Sequence, residues 1–319
     1  VFTIHNLAYQ GNFGGDRLPV TGLSHSRFFH TDGLEIWGNF SLLKSGIVYA
    51  HAVTTVSPTY AREIQTDDQG MSMAGILRHR GGDVRGILNG VDYSIWNPET
   101  DPHIAANYSV KDPAGKRRCK AALMEELQLD STPAETPLLC MISRMDGQKG
   151  FDLLVSAMEG IMETGAGLVV LGSGNEWVEK ALEADRGRFS GRIALRYGFD
   201  GNLAHRIIAG ADILLMPSRY EPCGLTQLYA LKYGTIPVVR GTGGLEDTIS
   251  PFDKATGKGN GFKFHPYDSK AFLSAIQQAV GLYGNRGAWK RLMHNGMKMD
   301  FSWERSAREY ISIYNSIQR

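Results

Sequence analysis

Four groups of residues in this chain combine types and spacings suited to chemistry. Ser143-Arg144-Met145-Asp146-Gly147-Gln148-Lys149-Gly150 follows an apolar run and leads into a helix-favouring stretch. Arg144 and Lys149 lie five apart in that loop, so both cationic heads can reach one point beside a helix N-terminus, the outline of a diphosphate site. The guanidinium offers phosphate oxygens a planar fork and the ammonium a point charge. Glu221-Pro222-Cys223-Gly224-Leu225-Thr226-Gln227 sets a carboxylate, an acceptor for sugar hydroxyls, beside a glycine turn, with Thr226 near the start of the next helix. Thr242-Gly243-Gly244-Leu245-Glu246-Asp247-Thr248 pairs two glycines that let backbone approach a ligand closely. His5, directly after an N-terminal strand, can hydrogen-bond a sugar hydroxyl or steady a departing oxygen.

Each group also has a plainer reading. The cations can be solvated surface charges, Glu221 a partner for Arg219, the paired glycines a tight strand-to-helix turn, and His5 a structural residue at a strand end. Cys223 reads as a small buried hydrophobe, with no histidine close in sequence to activate it. Gly172-Ser173-Gly174 matches the dinucleotide fingerprint only in part.

The elements that must position these groups alternate regularly from Pro137 onward. Apolar strands are predicted at 138–142, 167–171, 193–197, 212–217 and 236–239, with helices from Phe151 to Thr164 and through Ala184. Continuous apolar strands alternating with helices imply a parallel sheet covered on both faces, which binds ligands at its carboxyl edge. Before Pro137 the pattern is mixed. Val1-Phe2-Thr3-Ile4 reads as a buried strand, 42–50 as a helix, 52–56 as a strand, and Ser57-Pro58 as an N-cap with proline at the first helical position. The charged stretch from Lys116 to Leu129 with Ser131-Thr132-Pro133 reads as a domain boundary. Helices are expected through most of 269–319.

A length of 319 residues fits two α/β lobes. A net charge of +1 with scattered basic residues argues against nucleic acid or an anionic membrane as partner. Three widely spaced cysteines have no metal-ligand spacing and cannot all pair within the chain, which fits a reducing cytoplasm. No apolar run is long enough to span a bilayer, and no signal peptide is expected from the residues at hand. The chain opens inside a strand without an initiator Met, so it is expected to have lost its start.

Taken in order, His5-Asn6-Leu7-Ala8-Tyr9-Gln10-Gly11, Val56-Ser57-Pro58-Thr59-Tyr60-Ala61, Leu88-Asn89-Gly90-Val91-Asp92, Ser143-Arg144 with Gln148-Lys149-Gly150, Pro217 to Gln227 and Thr242-Gly243-Gly244-Leu245 resemble the bacterial glycogen synthase and plant starch synthase family. The resemblance implies a GT-B fold, two Rossmann-like domains with parallel sheets, the first incomplete here. Residues 1–132 would be the C-terminal part of the acceptor-side domain, 133–300 the nucleotide-sugar domain, and 301–319 a helix crossing back. It implies a retaining transferase that moves glucose from ADP-glucose to the non-reducing end of an α-1,4-glucan such as glycogen, with no metal and no pyridoxal phosphate. Another nucleotide-sugar transferase of the same fold, or a nucleotide-binding but inactive fragment, remain the alternatives.

By the same resemblance Arg144 and Lys149 would hold the diphosphate and Glu221 the donor sugar. His5 would lie near the glucosyl 6-hydroxyl, with Asn6 and Asn89 in the same cleft. Leu225 and Thr226 would donate to the far phosphate. Tyr197, Gly198 and Phe199 would flank the base, and Cys223, Gly224, Gly243 and Gly244 would line the donor site. Many related transferases carry a second glutamate eight positions after the first, where this chain has Tyr229. Ser72 and Ala74 depart from the family's glycine-rich segment, and no Lys-x-Gly-Gly-Leu loop precedes Val1. The chain alone is therefore expected to be inactive.

Overall fold

A computed structural model describes residues 1–317. Packing divides the chain into two units, Val1–Asn89 with the described residues from Glu304 onward, and Gly90–Trp303.

The first unit runs β1 (Phe2–Ile4), β2 (Asn12–Gly14), α1 (His25–Phe28), β3 (Glu35–Ile36), β4 (Asn39–Ser41), α2 (Leu42–Tyr49), β5 (Val53–Thr55), α3 (Pro58–Glu63), α4 (Ala74–Arg80) and β6 (Val84–Gly86). A parallel sheet has the order β1-β5-β6, and a small antiparallel sheet the order β2-β4-β3. The first strand is less buried than its composition predicts. It lies at the edge of its sheet, so Ile4 is buried while Phe2 and Thr3 are half-buried and Val1 is exposed. The Ser57 hydroxyl caps α3 by accepting from the Tyr60 N–H at 3.1 Å, with Pro58 at the first helical position. The last helix, Trp303–Ile317, belongs to this unit from Glu304 on. Its Ile313 packs with Ala52 and Ile87, and the Ser306 hydroxyl donates to Leu88 O at 2.6 Å.

Met71 and Ser72 both adopt left-handed backbone, with φ of +43° and +74°. A side chain there crowds the following carbonyl, which costs about 1 kcal/mol that glycine avoids. The Gln10 side-chain amide donates to Met71 O at 2.6 Å and holds the turn.

The second unit contains α5 (Ala114–Glu126), β7 (Leu138–Ile142), α6 (Phe151–Glu163), β8 (Gly167–Leu171), α7 (Glu176–Arg188), β9 (Ile193–Arg196), α8 (Gly201–Gly210), β10 (Ile213–Met216), α9 (Thr226–Lys232), β11 (Ile236–Arg240), α10 (Gly243–Thr248), β12 (Phe262–Phe264), α11 (Ser269–Tyr283) and α12 (Arg286–Met297). Its six strands pair in parallel in the order β12-β11-β10-β7-β8-β9. Alternate residues of each strand enter opposite cores. Leu139, Met141, Leu168 and Val170 pack with residues of α6, α11 and α12, while Leu138, Cys140, Val169 and Leu171 pack with residues of α5 and α8. Both faces are covered, so the strands read as unbroken apolar runs.

The boundary expected near Thr132 lies instead at Asn89. The charged, helix-favouring segment read as the boundary is α5, whose Leu123 joins Leu127 and Leu129 in the core under β7 and β8. Its Lys120 forms an ion pair with buried Asp212 at 2.7 Å, and the other α5 lysine, Lys116, reaches Thr235 Oγ1 at 2.7 Å and Ala209 O at 3.1 Å. Trp96 is sandwiched between His205 and Tyr229 with ring centroids 3.7 and 4.0 Å away, and Asp101 accepts from Tyr233 and is bonded to the His205 ring. These contacts bind residues 96–126 to the second unit.

Backbone strain and burial each have a measurable consequence here. Ser72→Gly is expected to raise stability by about 1 kcal/mol in urea unfolding; an unchanged or lower midpoint would contradict the strain. Burial pushes the Lys116 ammonium down to about 8 from 10.5. Between those values the folded chain has released a proton that the unfolded chain still binds, so this group's contribution to stability rises with pH. Relative to Lys116→Met, the protein should gain on the order of 2 kcal/mol from pH 8 to 10.5. A constant difference between the two would refute the shift.

Candidate functional site

In the second unit the loops after β7, β8, β9, β10 and β11 all leave the carboxyl edge of one sheet. Three of them are stitched together by backbone. From the β7 loop, Gln148 O accepts from Arg219 N at 2.8 Å and the Gln148 side chain donates to Tyr220 O at 3.2 Å. Gly244 N donates to Glu221 O at 3.1 Å, which joins the β11 loop to the β10 loop. Approach is so close that a Cβ on Gly150 would stand 2.1 Å from Pro217 O, and one on Gly243 would stand 1.9 Å from Glu221 O. Gly150 and Gly243 also have positive φ, +77° and +46°. The glycines of both motifs are therefore required by loop-to-loop contact. On the other side, Met145 N donates to Ser173 O at 2.9 Å and joins the β8 loop, whose glycine turn reads as generic in the sequence.

This stitching brings Lys149 against Glu221. Lys149 Nζ lies 2.7 Å from Glu221 Oε2, which also accepts from the Ser218 hydroxyl at 3.0 Å. Glu221 is only 5% exposed. A buried carboxylate needs such partners, since an unpaired charge out of water costs several kcal/mol. Arg219, the alternative partner, faces elsewhere: it lies 3.4 Å from Asp152 and over the Tyr267 ring at 4.0 Å. Tyr267 in turn donates to Asp152 at 2.6 Å.

Arg144 pairs with Asp146 of its own loop. Its Nη1 lies 3.1 Å from Asp146 Oδ2, with 60% of the side chain exposed. The other Asp146 oxygen accepts from the Gln148 and Lys149 N–H groups at 3.1 and 3.2 Å, so Asp146 shapes the loop that carries both cations. Asp146, Gln148 and Ser218 are the positioning residues that reading the sequence missed. All three lie inside the quoted motifs, but only their partners across the loops reveal the role.

The remaining residues expected on the donor side divide into two groups. Cys223 is buried, and its carbonyl accepts from the Gln227 amide at 3.0 Å. Gly224 has φ +71°, and a Cβ on Gly244 would meet Cys223 O at 2.1 Å. Leu225 is partly exposed, and Thr226 opens α9. Tyr197, Gly198 and Phe199 follow β9, separated from β7 by β8. The Tyr197 hydroxyl donates to Glu183 at 2.9 Å, while the Phe199 ring is 98% exposed. Tyr229, at the position of the second glutamate, is held face-on against Trp96.

In the first unit, exposed His5 follows β1 and Asn89 follows β6, so both leave the carboxyl edge of the sheet β1-β5-β6. The Asn6 side-chain oxygen accepts from Ala8 N at 3.0 Å and holds the turn after His5.

The doubly covered parallel sheet, with a cation-carboxylate pair where its loops converge, belongs to a GT-B glycosyltransferase, as the matching families and structures show. The first 79 residues match the family model described as starch synthase catalytic domain, and residues 125–291 match glycosyl transferases group 1. The chain is 49% identical to the glycogen synthase of Anaeromyxobacter sp. (strain Fw109-5), covering 99% of this chain and 66% of that protein. It is 46% identical to that of Desulfatibacillum aliphaticivorans, over 100% of this chain and 66% of that one. It thus spans 66% of the length of these relatives. The catalytic domain of starch synthase IV from Arabidopsis thaliana, solved with ADP and acarbose, is similar with a TM-score of 0.94 at 35% identity, covering 100% of this chain and 67% of that one. A likeness to Anabaena HepE at 15% identity and TM-score 0.60, over 99% of this chain and 71% of that one, shows the fold alone. The chain belongs to the glycogen and starch synthase family.

Gly243→Ala tests the stitching. With no room beside Glu221 O and with φ +46°, the variant is expected to lose about 1 kcal/mol or more of stability in urea unfolding, although every charged side chain of the site is kept; an unchanged midpoint would show that the loops need no such approach.

Proposed function

We propose that this chain carries the donor side of a retaining transferase moving glucose from ADP-glucose to the non-reducing end of an α-1,4-glucan. The observation that carries the reading is the Lys149–Glu221–Ser218 cluster at the carboxyl edge, with Arg144 exposed in the adjoining loop. Departure of ADP builds negative charge on the terminal phosphate, and cations fixed in advance stabilise it without reorganisation. Lys149 and exposed Arg144 supply that charge. Glu221, held by Lys149 and Ser218, accepts hydrogen bonds from donor-sugar hydroxyls and fixes the ring. His5 and Asn89 act on the acceptor side. The loop from Tyr197 to Phe199 offers a free aromatic face to the base.

The names of the relatives support the substrate pair, and the starch synthase structure was solved with ADP. In this reading neither metal nor pyridoxal phosphate takes part, because the two cations perform the metal's task. The reaction is cytoplasmic, with no nucleic acid or membrane partner. Among the described residues no helix is long and apolar enough to cross a membrane.

The test is incorporation of labelled glucose from ADP-glucose into glycogen by a protein that carries this chain at the full length of its relatives, since the chain alone is expected to be inactive. Arg144→Ala and Lys149→Ala should each lower kcat about 100-fold or more, with a chelator leaving the rate unchanged. Preference for UDP-glucose would support another nucleotide-sugar transferase, and ADP binding without turnover a module that binds only.

A further inference from the structure

A cavity of ligand size in the second unit lies away from the donor loops. It encloses about 520 Å³ between α5, the segment before β7, Asp212 and the start of α12. Asp212 immediately precedes β10 and accepts from the N–H of Leu138, the first residue of β7, at 2.9 Å. The cavity therefore opens at the amino edge of the strands whose carboxyl ends carry Arg144 and Glu221, roughly 15 Å away along five residues of strand.

Five cations line it, Lys116, Arg117, Lys120, Arg286 and Lys290, against three carboxylates, Asp112, Glu135 and Asp212. Two of the cations are neutralised in place: Lys120 by Asp212 at 2.7 Å, and Arg286 by Glu135 at 2.5 Å. Lys116 is buried, its ammonium held by neutral partners: Ala209 O, Thr235 Oγ1 and the Tyr108 ring at 5.9 Å. At the mouth Arg117 and Lys290 are exposed, and neither forms an ion pair among the described residues. Met124, Trp289 and Met293 add an apolar wall. A surface that merely carried scattered charge would not gather unpaired cations around a concavity of ligand size. Positive charge on one side and apolar wall on the other match an anion carried on a carbon body.

We propose that this cavity is a second ligand site, distinct from the donor site, which takes a phosphate monoester of a small metabolite. Arg117 forks onto the phosphate, Lys290 and Lys116 complete its charge, and the sugar or nucleoside body rests against Met124 and Met293. The site is independent of the donor chemistry above, so either can fail without the other.

Calorimetry on the full chain with inorganic phosphate, fructose 6-phosphate and AMP tests it. At least one ester should bind about tenfold or more tightly than inorganic phosphate. That binding should be lost in Arg117→Glu/Lys290→Glu and in Ala121→Trp, which fills the mouth without altering charge, and retained in Arg144→Ala. Circular dichroism establishes that the variants are folded, and unchanged ADP affinity in both shows the donor site intact. The proposal is overturned if no ester binds up to about 10 mM, if inorganic phosphate binds as well as both esters, or if the charge-reversed variant binds like the parent.

Discussion

A buried carboxylate on one loop must be met by a cation on another, and much of the second unit's architecture follows from that. Glu221 leaves the end of β10 and Lys149 the loop after β7. They meet because the two strands are neighbours in the sheet, although several elements of chain separate them. Adjacency of strands is not enough. The loops must also touch through their backbones, which is why glycine stands at Gly150 and Gly243, where any side chain would collide with a carbonyl. The geometry of the ion pair and the packing of its loops are thus one requirement, written twice in the same residues.

The second unit was largely legible in the sequence because its strands are buried on both faces and its loops carry turn chemistry with few alternatives. Strands predicted at 138–142 and 167–171 are β7 and β8 residue for residue, and the helix expected from Phe151 is α6. What escaped depends on partners distant in the chain. The boundary was misplaced because a charged stretch followed by Ser131-Thr132-Pro133 reads as the edge of a domain, yet Lys116 and Lys120 turn inward to meet Thr235 and Asp212. Trp96, His205 and Tyr229 form a stack that no local pattern announces. The same holds for Glu221. Its neighbour in sequence, Arg219, was the natural partner to expect, whereas the fold supplies Lys149 from 72 residues away.

The two edges of the six-stranded sheet carry charge differently. At the carboxyl edge ionic groups sit on loops, and Arg144 remains exposed. At the amino edge Lys120 and Asp212 are sunk beneath helices, where they bind a helix to the start of β7. Such buried charges add little net stability, but removing one partner is punishing, so they enforce a single arrangement.

All three cysteines are buried, and all belong to the second unit. Burial drives the Cys140 thiol up to about 12 and raises that of Cys119, so hardly any thiolate exists on either near neutrality. The folded chain consequently presents no thiol to an alkylating reagent. Modification must wait for an opening event, and its rate becomes a clock for such openings. Cys119 and Cys140 time the loosening of the helices and strands beneath the sheet, while Cys223, in the loop beside Glu221, times the loosening of the donor edge. The chain thus carries its own probes of local unfolding, with no label to be engineered.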